Sequence, residues 1–342
     1  MKIVIPENQF LPMRFAMDGL SKLGEVVLSE NFTDKDFATA CIGADIVIVN
    51  SAQIGKHFFE TCPSVKFIIK WGVGVNNIDI DMASKRGVII GNCPHYGSLE
   101  VAEWAMIMTL NYMRNFTPIV QSMKNTGWAD LNSTPYGVSL RGKTVGVIGL
   151  GRIGMAFAKM VEPFGAKVVC YSQSSTLEND MSSYATQLNS MEEVLSVSDV
   201  VSLNLALNDA TTHTINKDTL CVMKKDAILI NVSRGALVDA DAVLEALDND
   251  RLGGYLSDVF EVEPLPKDNP LQNHPKTLLT PHMAYLSEQA HRRLDIEVLK
   301  SIQCYSNKDT MVSILNVDNL ALNGYNLDTH PYGQLPYSID SY

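Results

Sequence analysis

Three ionisable residues, each near the end of a short apolar segment, have the side chains needed to move a proton beside a bound carboxylate. Arg234 lies in NVSRGALVD, Glu263 in SDVFEVEPL and His282 in TPHMAY. An arginine fork can hold a carboxylate and polarise a neighbouring carbonyl. A histidine can accept and return a proton, and a carboxylate on its second nitrogen fixes its tautomer. Alone, each residue also fits a structural role, as a turn arginine, a solvated carboxylate or a structural histidine.

A glycine-rich turn precedes these residues in the chain. In VGVIGLGRIGMAFA, Gly149, Gly151 and Gly154 follow a strand-like run and open a helical pattern. This spacing allows a tight turn, a close approach of backbone to a pyrophosphate, and close helix packing. The helix N-terminus offers N–H groups to the anion. The alternative, a turn without a ligand, is disfavoured by the strand and helix around it, so we predict a dinucleotide site.

The position that selects between dinucleotides holds a serine. In such sites a carboxylate after the second strand bonds the adenosine ribose hydroxyls. Here Ser172 follows KVVCY, so a 2′-phosphate is not repelled. The segment YSQSSTLEND contains no Lys or Arg that would attract one. The sequence therefore leaves NAD and NADP both open.

The elements that position these groups alternate between strands and helices. Short β-branched runs such as KIVI and ADIVIV alternate with helical patterns, and a second alternation begins at KTVGVIG. This pattern predicts an α/β fold with two doubly wound parallel-sheet domains. A helix at about Ser287 to Tyr305 follows the second alternation, and we expect it to pack on the first domain.

One long helix is predicted between the two alternations. Ser98 is a plausible N-cap for a helix from Leu99 to Asn115, with Glu100 and Glu103 in the first turn. Its residues are apolar on more than one face, so we expect it to be buried between larger bodies. Because one domain cannot cover all of these faces, we also expect a homodimer.

Taken together, these motifs resemble the D-isomer-specific 2-hydroxyacid dehydrogenase family, which includes phosphoglycerate dehydrogenase, glyoxylate/hydroxypyruvate reductase, D-lactate dehydrogenase and formate dehydrogenase. The similarity extends from about Val65 to Asn316 and includes WGVGVNNID, VAEWAM and SLRGKTVGVIGLGRIG. It implies hydride transfer between nicotinamide C4 and C2 of a 2-hydroxy or 2-keto acid. Arg234, Glu263 and His282 would be the catalytic residues.

The resemblance also implies a domain arrangement and a set of binding residues. A flavodoxin-like substrate domain would comprise residues 1–98 and 287–318, a Rossmann cofactor domain 99–286, and a tail 319–342. The backbone of Val73 and Gly74 would bind the substrate carboxylate together with Arg234 and His282, and Asp258 would meet the nicotinamide amide. The residues expected to line NAD or NADP are Gly149, Gly151, Arg152, Ile153, Gly154, Ser172, Asn204, Leu205, Ala206, Thr212, Val232, Ser233 and Asp258.

One residue and one segment each allow two structural interpretations. Tyr285, three residues after His282, either closes the substrate pocket or packs in the core. The tail from Ala321 to Tyr342, with four tyrosines between Pro and Gly, is either disordered or docked on a neighbouring surface. The identity of the 2-hydroxy acid is not specified by these residues.

Composition excludes several other classes of protein. The net charge of −11 and the absence of a basic run argue against nucleic-acid and anionic-membrane partners. The six scattered cysteines show no metal-ligand spacing with the seven histidines, so we expect no metal and a reduced, cytoplasmic protein. A nucleotide-sensing scaffold related to corepressors remains the competing hypothesis, because one fold serves several functions.

Overall fold

The computed structural model describes residues 1–7, 13–29, 34–130, 132, 134–173, 185–324 and 327–329. Contacts divide the chain into two compact units, unit 1 (Met1–Gly97 and Ser287–Tyr342) and unit 2 (Ser98–Leu286). The strands are β1 (Lys2–Ile5), β2 (Glu25–Leu28), β3 (Ile46–Val49), β4 (Phe67–Lys70), β5 (Ile89–Gly91), β6 (Thr144–Ile148), β7 (Lys167–Tyr171), β8 (Ala185–Gln187), β9 (Val200–Leu203), β10 (Ile228–Asn231), β11 (Gly254–Ser257) and β12 (Thr277–Leu279). The α-helices are α1 (Met17–Leu23), α2 (Asp34–Ala40), α3 (Lys56–Thr61), α4 (Ile80–Lys85), α5 (Ser98–Met113), α6 (Phe116–Thr126), α7 (Arg152–Val161), α8 (Met191–Val197), α9 (Lys217–Val222), α10 (Ala240–Asp248), α11 (Glu288–Asn307) and α12 (Val317–Leu322).

The described part of unit 1 contains a parallel sheet in the order β2-β1-β3-β4-β5, which is the flavodoxin-like order. All four residues of β3 are buried, as expected for a strand that helices cover on both faces. The chain returns to this unit through α11, where the Ser287 hydroxyl accepts a hydrogen bond from the Ala290 N–H at 2.9 Å. This helix is the one predicted from about Ser287 to Tyr305, and it extends two residues further, to Asn307.

Unit 2 is built on a sheet whose described strands are all parallel, in the order β12-β11-β10-β9-β6-β7-β8. Leaving out β12, this is the Rossmann order of two mononucleotide-binding halves. The predicted α/β class with two doubly wound parallel sheets is confirmed. Because the strands are parallel, the loops that follow them meet at one edge of the sheet.

Helix α5 differs from its prediction in three ways. It covers residues 98–113 rather than 99–115, because Asn115 takes a left-handed backbone conformation and ends the run. Glu100 lies in its first turn, whereas Glu103 lies beyond it. The helix packs on α7 and on the unit 2 sheet through Ala105 and its neighbours, yet Ile107 is 55% exposed, so it is not fully buried as expected.

Some expectations for the fold stay predictions. The substrate and cofactor roles of the two units, and the status of residues 319–342 as a tail, are among them. Residues 325–326 and 330–342, which include all four tyrosines of that segment, lie outside the described residues, as do residues 174–184. Among the helices that the structure describes, none is long and apolar enough to cross a membrane.

Candidate active site

The glycine turn lies at the carboxyl end of β6. Gly149 has a φ of +96°, and its N–H donates to the Tyr171 carbonyl at 2.8 Å. Gly151 is the N-cap of α7, so the helix begins at Arg152 rather than at Gly154, where the sequence pattern predicts its start. Arg152 and Ile153 thus occupy the first positions of the helix. The first turn of α7 presents the N–H groups that a helix leaves unpaired.

The space around each of the three glycines shows whether a dinucleotide could fit here. A Cβ on Gly149 would lie 2.4 Å from the Asn204 carbonyl oxygen, and one on Gly154 would lie 2.0 Å from the Gly149 oxygen. A Cβ on Gly151 would meet nothing within 4 Å. The protein itself therefore requires the outer two glycines, while the middle one leaves open space at a helix N-terminus, as pyrophosphate binding needs.

The loop after β9 lies directly against this turn. The Asn204 N–H donates to the Ile148 carbonyl at 2.7 Å, and its side-chain amide donates to Ser202. The Asn204 Oδ1 atom is buried and has no partner among the described residues. A buried acceptor of this kind is suited to a ligand hydroxyl or N–H. Leu205 and Ala206 continue the same loop.

The remaining residues expected to line the cofactor follow neighbouring strands. Ser172 is half-buried immediately after β7. Val232 and Ser233 follow β10, and the Ser233 hydroxyl donates to the Leu203 carbonyl at 2.8 Å. Thr212 lies on the longer loop after β9, where its hydroxyl donates to the Asn208 carbonyl at 2.9 Å. These positions are all at the carboxyl edge of the sheet or on loops that leave it.

Arg234 follows β10 and is held from both ends. Its Nη1 donates to the Ser233 carbonyl at 2.6 Å, and its own carbonyl accepts from the Asn231 side chain at 2.8 Å. Gly235 comes next, and a Cβ there would lie 1.9 Å from the Phe260 carbonyl carbon. Only a glycine lets the Arg234 turn lie this close to the loop that carries Glu263. The Arg–Gly pair in the sequence is a signal for such a turn, but the close approach of the Phe260 backbone to Gly235 is visible only in the structure.

Glu263 and His282 form the central pair of the site. The His282 Nδ1 and Glu263 Oε2 atoms are 2.7 Å apart, and the Glu263 Oε1 atom accepts from the Phe260 N–H at 2.8 Å. Burial opposes ionisation of Glu263, but these bonds and the charge of Arg234 outweigh it, so its pKa lies below the usual value. The His282 side chain is 44% exposed and the Glu263 side chain is 34% exposed, so solvent can reach the pair.

Asp258, at the end of β11, lies behind this pair and is only 1% exposed. Its Oδ1 atom accepts from the Thr280 hydroxyl at 2.6 Å and from the Met283 N–H at 3.0 Å. Its Oδ2 atom accepts from the Ala284 N–H at 2.8 Å. Burial raises its pKa despite these bonds. The expected contact with the nicotinamide amide stays a prediction, because the described bonds of this carboxylate all go to the segment that carries His282.

Two further residues join this network without any signal in the sequence. The Trp104 indole N–H on α5 donates to the Thr280 hydroxyl at 3.1 Å. The two residues are 176 positions apart in the chain, so only the packing of α5 on the sheet brings them together. Among the described residues, no cluster of three or more His, Cys, Asp or Glu side chains could hold a metal.

The other residues expected to bind substrate are divided between the two units. Val73 follows β4 in unit 1, is 40% exposed, and accepts a hydrogen bond from the Asn92 side chain at 2.7 Å. Gly74 is the next residue. Tyr285 in unit 2 is half-buried, and burial followed by the charge of Asp258 raises its pKa. Their binding of substrate stays a prediction.

Comparison with known proteins decides the family. The model of the D-isomer specific 2-hydroxyacid dehydrogenase NAD-binding domain matches residues 106–284. The chain belongs to this family. The matched range includes the glycine turn as well as Arg234, Glu263 and His282.

Three relatives show how far the similarity extends. The chain is 32% identical to D-3-phosphoglycerate dehydrogenase of Bacillus subtilis, over 96% of this chain and 62% of that enzyme. It is also 32% identical to hydroxypyruvate reductase of Blautia hydrogenotrophica, over 87% of this chain and 95% of that enzyme. A solved acyclic imino acid reductase, Bsp5, in complex with NADPH and D-arginine is 25% identical, with a TM-score of 0.83 over 92% of this chain and 100% of that one. The chain thus spans less than two thirds of the phosphoglycerate dehydrogenase.

Proposed function

We propose that this chain is an NAD(P)-dependent oxidoreductase that interconverts a 2-hydroxy acid and a 2-keto acid. The observation that carries the proposal is the 2.7 Å pairing of His282 Nδ1 with Glu263 Oε2 beside Arg234. A bound acid needs a cation for its carboxylate and a proton donor for its C2 oxygen. The three side chains supply both functions at one sheet edge, next to a turn that fits a dinucleotide.

His282 would carry the proton. With Glu263 accepting the Nδ1 hydrogen, the neutral ring presents Nε2 as its acceptor, so Nε2 takes the hydroxyl proton during oxidation and returns it during reduction. Glu263 keeps the ring in this tautomer and balances the charge of the protonated ring. The lowered pKa of Glu263 supports this role, because the carboxylate stays ionised throughout the neutral range.

Arg234 would bind and orient the substrate carboxylate. Its guanidinium has five N–H donors in one plane, and the bond from Nη1 to the Ser233 carbonyl limits how the fork can rotate. A bidentate pair fixes the acid and polarises the adjacent C2 carbonyl. Binding by the Val73 and Gly74 backbone, and closure of the pocket by Tyr285, stay predictions.

The cofactor site would be formed by the glycine turn and the loops beside it. A bound nicotinamide cofactor accepts or supplies the hydride at C4. The open space at Gly151 would receive the pyrophosphate, the first turn of α7 would donate N–H groups to it, and Asn204 Oδ1 would offer a buried acceptor. Because Ser172 carries no charge, NAD and NADP both remain candidates.

The decisive experiment is a turnover assay with purified protein. Glyoxylate, pyruvate and hydroxypyruvate would each be tested with NADH and with NADPH, and 3-phosphoglycerate with NAD and NADP, by following the absorbance of the reduced nicotinamide. We expect at least one acid to be turned over, and His282→Ala to abolish most of that activity. Tight cofactor binding without turnover of any acid would instead support a nucleotide-sensing scaffold.

We also infer that the protein forms a homodimer through the region of α5 and α6. Ile107, Phe116, Met123 and Trp128 are 55%, 61%, 52% and 74% exposed, and exposed apolar side chains grouped on two successive helices and the turn after them are typical of an interaction surface. Light scattering on Ile107→Lys and on the control Val197→Lys, which alters an exposed residue at the end of α8, tests this. We expect a dimer mass for the control and a monomer mass for Ile107→Lys. A cytoplasmic location stays a prediction.

A further inference from the structure

The backbone around His282 is held in a conformation that needs support. His282 has a φ of +55°, in the left-handed region that a residue with a Cβ rarely adopts. Such a conformation persists only where the surrounding structure determines it. What holds it here determines whether Nδ1 of His282 reaches Glu263.

That support converges on one residue. The N–H groups of His282, Met283 and Ala284 all donate to Asp258, the first to its carbonyl at 2.7 Å and the other two to its carboxylate at 3.0 and 2.8 Å. Three consecutive amides can meet one residue only if the chain turns sharply around it. The carboxylate must therefore keep one orientation for His282 to keep its own.

A directional pair of hydrogen bonds fixes the orientation of the carboxylate. The Trp104 indole can only donate, so the Thr280 hydroxyl accepts from it and uses its own hydrogen to donate to Asp258 Oδ1 at 2.6 Å. A second bond holds the backbone, where the Thr280 N–H donates to the Ser257 carbonyl at 2.9 Å. Bonds to a buried carboxylate are among the stronger hydrogen bonds in a protein.

We propose that Thr280 and Trp104 are positioning residues of this enzyme, which act through Asp258 to hold His282 against Glu263. This inference rests on the proposed function, in which the His282 ring moves the substrate proton. Neither residue needs to touch substrate or cofactor. The raised pKa of Asp258 agrees with its burial, since such a carboxylate depends on its bonded neighbours.

The first experiment compares two threonines on the same segment. Thr280→Val keeps the shape of the side chain and removes the two hydrogen bonds of its hydroxyl, to Trp104 and Asp258. Thr280→Ser keeps both of these bonds. Thr277→Val is the matched control, because the Thr277 hydroxyl lies within 2.8 Å of both the Leu271 and His274 carbonyls, away from Asp258. We expect Thr280→Val to lower kcat about 10- to 100-fold, the scale of a small misplacement, with the Kd of the cofactor within about threefold of wild type. Thr280→Ser should restore most of kcat, and Thr277→Val should change it little.

A double-mutant cycle with Glu263→Gln separates positioning from general loss of packing. If Thr280 acts through the His282–Glu263 pair, Thr280→Val costs much less in the Glu263→Gln background than in wild type. Trp104→Phe, which keeps an aromatic ring but removes the donor, should follow the same pattern with a smaller loss. Additive losses, or equal kcat for Thr280→Val and Thr277→Val, would overturn the proposal.

A spectroscopic measurement gives an answer that does not depend on turnover. In protein labelled with 15N-histidine, His282→Gln identifies the ring signals of His282, and the Nδ1 shift reports its bond to Glu263. We expect Thr280→Val to move this shift toward that of Glu263→Gln, and Thr277→Val to leave it unchanged. An unmoved shift in Thr280→Val contradicts the positioning role. If wild type turns over no acid, the proposed function fails, and this shift still decides whether Thr280 holds the pair.

Discussion

The two halves of the carboxyl edge of the unit 2 sheet present different chemical groups. The half after β6 and β7 presents mainly backbone, with an open Gly151 at the start of α7 and the neutral Ser172 after β7. The half after β10, β11 and β12 presents charged side chains, which are held by hydrogen bonds to neighbouring residues. We call the first the backbone half and the second the side-chain half.

This difference fits what the proposed function requires each half to bind. A pyrophosphate is common to both dinucleotides, so N–H groups and open space are enough to bind it. Proton transfer beside a carboxylate needs particular groups at particular distances, because a small misplacement lowers the rate greatly. We therefore expect substitutions in the side-chain half to reduce kcat and those in the backbone half to alter cofactor binding.

The largest effect should come from the charged side chains. We expect Arg234→Ala to abolish useful kcat/KM, and His282→Ala to lower kcat by roughly 10²- to 10⁴-fold, both with cofactor affinity nearly unchanged. Steady-state kinetics and cofactor fluorescence titration measure the two quantities. Wild-type turnover by His282→Ala across the pH range would remove histidine from the mechanism and erase the contrast between the halves.

A pair of alanine substitutions sharpens the contrast within the backbone half. Gly154→Ala places a Cβ 2.0 Å from the Gly149 carbonyl oxygen, so we expect a loss of about 1–3 kcal/mol in the free energy of unfolding. Gly151→Ala meets no protein atom within 4 Å, so it should cost less than about 1 kcal/mol of stability, the scale of an N-cap preference, while its cofactor Kd rises about tenfold. Denaturant unfolding and cofactor titration test both. Unchanged cofactor affinity in Gly151→Ala would mean that the pyrophosphate does not approach this turn.

A smaller effect is expected at Ser172. Wild type should use both nucleotides, because no carboxylate repels the 2′-phosphate and a neutral hydroxyl forms only ordinary hydrogen bonds with it. Ser172→Asp should favour NAD by at least about tenfold in kcat/KM. The measurement is kcat/KM with each nucleotide for both proteins. A wild-type preference beyond about 10³-fold would show that other residues set the choice.

The smallest effect concerns stability in acid. Because the folded-state pKa of Glu263 lies below its usual value of 4.5, its ionisation stabilises the fold above that pH, and this contribution is lost as the pH falls toward the folded-state pKa. The side chain is 34% exposed, so solvent limits the effect to about 1 kcal/mol or less. Asp258, whose pKa is raised, contributes the opposite slope in both proteins.

Thermal unfolding of wild type and Glu263→Gln between neutral pH and pH 3 isolates the Glu263 contribution, because the slope of Asp258 is common to both. We expect the Tm difference between the two proteins to shrink below about pH 4.5. A difference that stays constant over this range would contradict the pairing of Glu263 with His282.

The sequence alone determined much of this protein. Strand-like runs separated by helical patterns specified two parallel sheets, because buried parallel strands are apolar on both faces and require crossover helices. The spacing of Gly149, Gly151 and Gly154 marked the turn, since Gly149 and Gly154 have no room for a Cβ and Gly151 leaves open space at a helix N-terminus. The order of the Arg234, Glu263 and His282 segments indicated the family that the comparison confirmed.

Only the tertiary structure decided how those groups are held. The end of α5 depended on the left-handed conformation of Asn115, which propensity does not specify. The positive φ of His282 depends on neighbours that the sequence does not place beside it. The hydrogen bonds from Trp104 to Thr280 and from Thr280 to Asp258 join residues that are far apart in the chain. A sequence pattern reports local preference and burial, whereas a hydrogen bond between distant segments exists only once packing has brought them to within about 3 Å of each other.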